Sequence, residues 1–313
     1  MSKGDKEERP VSDFQINKEF GFREYRAETW NDAKEILREF KGERGERVSG
    51  RMGRLSAWIF RGQSVSSYNL KTSFERAAGV GLASLRDFER DVTDRFRSQA
   101  HNHLSGAEIP ESQLEWWALM QHHGAPTRLL DWTYSPYIAA FFALENAEGD
   151  CAVWALDKVS CDHYSAIKVS DSLGEELAPI QVLDRFDEWV EKNRLSYVSI
   201  AAPHKQNMRL AVQQGTFVYP GSLESSFMEN LVETDPDERE GLHDWLARVT
   251  LPAEIRAVAL RDLIDMNISS ASLFPGLDGF ARSLRNEYIL RRESFDEHNR
   301  RLEAKQAGKG NEG

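Results

Sequence analysis

Between Gln121 and Leu144 the chain reads QHHGAPTRLLDWTYSPYIAAFFAL, a polar turn that runs straight into an apolar helix. His122, His123, Arg128, Asp131 and Thr133 fall within a dozen residues, punctuated by Gly124 and Pro126, and Leu129, Leu130 and Trp132 stand among them. A merely solvated loop does not normally carry such apolar residues, so this turn is expected to be a site. The run after Pro136 predicts a helix whose alanines allow close packing, with Ser135 as its N-cap.

The rest of the fold is expected to surround this segment. A short apolar run, Ala57 to Phe60, predicts a buried strand that ends at Arg61 and Gly62, followed by Gln63. CAVWAL from Cys151, Leu195 to Ala202, Thr216 to Pro220 and Arg248 to Leu251 read as further strands. Helical periodicity runs over 29–40, over Leu82 to His103 with Leu85, Phe88, Val92 and Phe96 inward, and over Glu111 to His122. It returns over Asp184 to Glu191 and over 253–265, and most of 277–302 is helical. The expected class is α+β or mixed α/β, with one central mixed sheet flanked by helices and a mostly helical C-terminal extension. Residues 1–15 are expected to be disordered, 16–54 a helical lead-in, 55–285 the main domain and 286–313 a C-terminal helix with a polar tail.

Charge and cysteine usage exclude several functions. A net charge of −11 repels phosphate backbones, which disfavours non-specific nucleic-acid binding, although a local arginine pocket can still hold one nucleotide. Two cysteines, Cys151 and Cys161, make no secreted disulfide framework and fit a reducing cytoplasm. No stretch reaches the roughly 18 apolar residues of a membrane span, and MSKGDKEERP lacks the apolar core of a signal peptide. Nothing in the sequence fixes an oligomeric state.

Several side chains suit a ligand. Arg61, beside the bare backbone of Gly62, can grip a phosphate or carboxylate bidentately, or else be buried in an ion pair, for example with Asp131. His122 and His123 can supply a general base or proton donor, or cap the carbonyls at a helix end. Only one of them is expected to face the site. Arg128, Asp131 and Thr133 are expected to project together from an extended segment, with Leu130 and Trp132 opposite. The alternative is that Thr133 or Ser135 caps the following helix while Asp131 holds Arg128 or Arg61. Asn207, Arg209, Gln213 and Gln214 offer donors and acceptors for a nucleobase or ribose, or form a solvated helix face. LFPGLDGFARSL, 273–284, is expected to be a structural turn. No HExxH, CxxC or His-x-His spacing is present, so no metal is predicted.

Taken together, WIFRGQ, the Gln121 to Leu144 segment, NMRLAVQQGTF and LFPGLDGFARSL resemble the successive motifs of the FRG domain family, with the Phe-Arg-Gly triplet at Phe60, Arg61 and Gly62. The resemblance spans about Ala57 to Leu284 and implies a bacterial or phage protein of poorly defined activity. The motif order is also similar to the Arg, Ser-x-Ser, Glu-x-Glu arrangement of mono-ADP-ribosyltransferases. That analogy gives Arg61 the Arg role, Asp131 and Thr133 the Ser-x-Ser role, and Gln213 to Gly215 the Glu-x-Glu role, with NAD as the implied cofactor. The departure is that Gln213 and Gly215 stand where carboxylates are expected, so Asp131 or a histidine would have to do their work. The expected function is therefore a nucleotide-sized pocket, ADP-ribosyltransferase-like, for NAD or a nucleotide-bearing substrate. In that reading Asp131, His122 and His123 are the catalytic candidates. Ligand binding falls to Arg61, Gly62, Gln63, Arg128, Thr133, Asn207, Arg209 and Gln213. The alternative is a non-catalytic recognition or effector domain, in bacterial or phage defence, that binds a nucleotide signal or a protein partner.

Overall fold

The computed structural model describes residues 13–42, 58–78, 85–104, 109–186, 195–203, 207–235, 243–288 and 290–291. Its strands are β1 (Gln15–Ile16), β2 (Phe22–Arg26), β3 (Trp58–Gln63), β4 (Leu130–Thr133), β5 (Cys151–Asp157), β6 (Val198–Ala201), β7 (Gly215–Pro220) and β8 (His243–Leu251). They form one sheet in the order β1-β2-β8-β5-β3-β4-β7-β6. The β2–β8 pair is parallel and the other neighbours are antiparallel, so the sheet is mixed and the class is α+β.

Helices α1 (Trp30–Gly42), α2 (Ser73–Ala78), α3 (Leu85–Ala100), α4 (Gln113–His122), α5 (Pro136–Leu144), α6 (Lys158–Leu173), α7 (Pro179–Asp184), α8 (Met208–Val212), α9 (Phe227–Val232), α10 (Arg256–Asp265), α11 (Ser270–Leu273) and α12 (277–288) cover it. Side chains alternate across a strand, and the core obeys this. Trp58 and Phe60 of β3, with Val153 and Ala155 of β5, enter one cluster with α1, α5 and α10. Ile59, Trp154 and Leu156 enter the opposite cluster with Cys161 of α6 and Phe227 of α9. Strand β5 is buried along its whole length, which is why it reads as an unbroken apolar run.

Helix α5 follows from its sequence. Ser135 Oγ accepts the backbone N–H of Ile138 (3.3 Å), Pro136 opens the first turn, and seven of its nine residues are buried. On α1 the expected face of Trp30, Ala33, Ile36, Leu37 and Phe40 is buried, and Thr29 Oγ1 accepts from the Asp32 N–H at 3.1 Å.

Elsewhere the structure departs from the expectation. Strand β3 continues through Arg61 and Gly62 to Gln63. The lead-in contributes β1 and β2, and α6 fills a stretch where no helix was expected. The buried face of α6 is Cys161, Ser165, Ala166 and Val169, too small and too polar to register as an apolar stripe. Helix α3 is rotated from its expected register: Phe88 is 43% exposed, while Glu89 and Thr93 are buried in its place. Both cysteines are free and buried. Of the N-terminus expected to be disordered, residues 13–15 are described and Gln15 opens β1; residues 1–12, most of the expected helix from Asp184 to Glu191 and the stretch after residue 291 lie outside the described residues.

Candidate functional site

Strands β3 and β4 pair only at Phe60 and Thr133. Beyond that point the Arg61 guanidinium bridges them, its Nη1 donating to the Asp131 carbonyl oxygen at 2.5 Å. Next to it opens a cleft of about 560 Å³, lined by Arg61, Gly62 and Gln63, by Ser64, Ser67, Tyr68, Asn69, Leu70 and Lys71 of the following turn, by Arg76 of α2 and by Phe142 of α5. Among the described residues three cationic side chains line it and no carboxylate does. Glu75, which lies between Lys71 and Arg76 in sequence, accepts the backbone N–H of Phe227 at 3.3 Å; burial raises its pKa, and that bond and the charges of Lys71 and Arg76 oppose the rise. Burial also lowers the pKa of Arg61; the Asp131 charge opposes that shift and the Arg76 charge adds to it.

Asp131 itself is exposed, between two buried neighbours on β4. Among the described residues its carboxylate has no hydrogen bond or ion pair, yet its charge acts on Arg61 from one side and on Arg209 of α8 from the other. Burial lowers the pKa of Arg209, Asp131 opposes this, and the nearby Arg282 adds to it. His122 ends α4 within reach of the same group. Burial lowers its pKa first, then the charges of His123 and Arg209. The two histidine rings meet edge to face at 4.9 Å, and the charge of Arg209 acts on His122.

Residues 56–151 match the family model of the FRG domain. The chain carries an FRG domain. The match takes in Arg61, Lys71, Arg76, both histidines, Asp131 and Phe142, while NMRLAVQQGTF and LFPGLDGFARSL lie beyond it. No curated protein and no solved structure matches the chain. Among the described residues no helix is long and apolar enough to cross a membrane.

Several residues expected to face a ligand serve the FRG domain's own structure. Arg128 precedes β4 and is 1% exposed. Its Nε donates to Glu89 Oε1 at 2.7 Å, its Nη2 to Glu89 Oε2, and its Nη1 to the carbonyls of Pro220 and Gly221, while its guanidinium lies 4.9 Å from the Trp117 ring. All its polar faces are thus occupied, and Glu89 is the partner that rotates α3. Nothing in the apolar periodicity of α3 shows that a carboxylate belongs inside; the signal is an arginine among Leu129 and Leu130 that needs a partner.

Thr133 does not project beside Asp131 into solvent. Its hydroxyl donates to the Gln213 carbonyl (2.7 Å) and accepts from the Ser135 N–H (3.1 Å). The Gln213 amide donates to the Leu273 carbonyl at 3.0 Å, and Asn207 caps α8 by accepting from the Leu210 N–H at 2.8 Å. Gln63 lines the cleft but accepts from Trp154 Nε1 (2.8 Å) and donates to the Asn69 carbonyl. Gly62 admits protein to its bare backbone: a Cβ there would meet Ala139 O at 2.0 Å and Ala143 N at 2.5 Å, so the missing side chain seats α5 on β3. Gly215 likewise makes room for Leu210, whose Cδ1 would lie 2.3 Å from an added Cβ. Among the described residues, the side chains of Lys71, Asp131 and Arg209 have no hydrogen bond, and Arg61 and Arg76 each give one donor to a carbonyl, of Asp131 and of Lys71 (2.6 Å) respectively.

Proposed function

We propose that the FRG domain binds a nucleotide-sized, phosphate-bearing small molecule in the cleft beside Arg61. The observation that carries this reading is the lining: Arg61, Lys71 and Arg76 converge on one concave space that no carboxylate lines, in a chain of net charge −11. Gathering like charges costs energy that a bound anion returns, and a guanidinium with free donors matches phosphate oxygens. Ser64, Ser67 and Asn69 add hydroxyl and amide groups for a sugar, and Phe142 gives an aromatic wall. The test is the thermal shift of the purified protein with NAD, ADP-ribose, ATP and GTP. A ligand at about 100 times its Kd adds about 2.7 kcal/mol, which raises the unfolding temperature by several degrees. The rise is expected to vanish in Arg61→Lys and to shrink in Lys71→Gln and Arg76→Gln, which alter exposed side chains and so leave folding intact. No shift with any nucleotide overturns the reading.

A second reading, ADP-ribosyltransferase-like chemistry on NAD, rests on Asp131. An exposed carboxylate held between Arg61 and Arg209 is suited to stabilise the positive charge that grows on a ribose as its nicotinamide leaves, and a neutral His122 can take a proton from an acceptor. Against it, the third motif, Gln213 to Gly215, holds no carboxylate, and the Gln213 amide is already tied to the Leu273 carbonyl. Release of nicotinamide from NAD by the wild type, lost in Asp131→Asn, supports turnover. Binding without release leaves a recognition or effector domain.

A further inference from the structure

Beyond the matched FRG region, the stretch 273–284 does more than turn the chain. Phe274, Pro275 and Gly276 reverse its direction, with Gly276 at φ 112°. Gly279 then packs directly on the turn it has just left, since a Cβ there would fall 1.8 Å from the Phe274 carbonyl oxygen. This contact returns α12 over the Phe274 ring. As a result the Arg282 guanidinium lies 4.6 Å from the ring centroid and that of Arg209, from α8, lies 4.7 Å from the same centroid. Among the described residues neither guanidinium has a hydrogen bond or an ion pair; both lie on the ring they share, and the charge of Asp131 also acts on Arg209.

Hydrogen bonds join the elements that carry the two arginines. Gln213 ties the end of α8 to α11, and Ser270 of α11 and Asn286 of α12 both donate to the buried Glu145 carboxylate at the end of α5. Phe274 in turn meets Phe142, the aromatic wall of the Arg61 cleft, at 5.9 Å in an edge-to-face contact. The paired arginines thus adjoin the cleft through the Phe142–Phe274 contact, and the charge of Asp131 acts on both Arg61 and Arg209.

We infer that Arg209 and Arg282, gathered on Phe274, form a second anion-binding point beside the Arg61 cleft, so that the ligand is a nucleotide carrying a second phosphate on a separate sugar position. This rests on the reading of the cleft as a nucleotide site. Arg61 stands on β3 on one side of β4, and Arg209 stands on α8, which leads into β7 on the other side. A single phosphate held by Arg61 leaves Arg209 and Arg282 unmet, whereas a second phosphate on the same ribose is available to them. The shared ring holds both guanidiniums in place before the ligand arrives, which lowers the ordering cost of binding.

Titration calorimetry with AMP and with adenosine 3′,5′-bisphosphate separates the two claims. The wild type is expected to bind the bisphosphate about ten- to a hundredfold more tightly than AMP, the gain of one charge-assisted phosphate contact. Arg282→Gln, an exposed position whose loss leaves the core intact, is expected to remove that gain and leave AMP affinity unchanged. Equal affinity for the two nucleotides in the wild type, or an undiminished gain in Arg282→Gln, overturns the second anion point while the cleft stands. Failure of the wild type to bind either nucleotide removes the cleft reading and this inference with it.

Discussion

At the scale of single residues, the site is built from side chains whose polar needs the protein leaves unmet, set beside others that it meets completely. Arg61 and Arg128 look alike in sequence, each beside apolar residues, yet Arg128 is closed off by Glu89 and two carbonyls whereas Arg61 spends one donor on the Asp131 backbone. Asp131 can be tested separately from the cations. If its charge opposes an incoming phosphate, Asp131→Asn binds ADP at least as tightly as wild type in calorimetry; weaker binding assigns the carboxylate a direct ligand contact. His122 makes a pH prediction. Its pKa is lowered in the folded state, so the folded protein resists protonation, and the stability from the neutral ring is complete above about 6.5 and declines as pH falls below it. The drop in unfolding temperature between pH 7.5 and 5.5 is therefore expected to be smaller in His122→Asn than in wild type.

At the scale of elements, two contacts decide whether the site keeps its shape. Gly62 is where α5 rests on β3. Gly62→Ala would press a methyl group into the backbone of α5, costing roughly 1–3 kcal/mol as for other overpacked cores, and would displace Phe142 from the cleft wall. Denaturant unfolding measures the first effect and nucleotide affinity the second. The Arg128–Glu89 pair ties α3 to the strand that bears Asp131. Glu89→Ala leaves a buried guanidinium unpaired and is expected to cost about 3–5 kcal/mol, and replacing both partners by apolar residues should restore much of it.

These elements also show what the sequence could and could not tell. Helices α1 and α5 and strands β5 and β7 were legible because burial on one face, or on both, leaves a periodic or unbroken apolar run. Helix α6 was not, because its buried face is made of small residues. The register of α3 was not, because a long-range ion pair overrode its apolar stripe. Of the candidate site, Arg61 and Asp131 could be read from their setting. Lys71, Arg76 and Arg282 could not, since what selects them is convergence in space from a turn and two helices far apart in the chain.

At the scale of the whole molecule, an acidic chain places Arg61, Lys71, Arg76, Arg209 and Arg282 along one seam of the sheet, where β3, β4 and β7 meet α2, α5, α8 and α12. On the proposed reading, a net charge of −11 disfavours polyanions while the cleft holds a small anion. The most direct test of this account is titration calorimetry of the wild-type protein and Arg61→Lys with ADP-ribose, with circular dichroism confirming that the variant is folded. The account predicts one site per chain and at least a tenfold loss of affinity in the variant, because lysine keeps the charge but cannot make the two-pronged contact. No heat of binding in the wild type, or equal affinity in the two proteins, would contradict it.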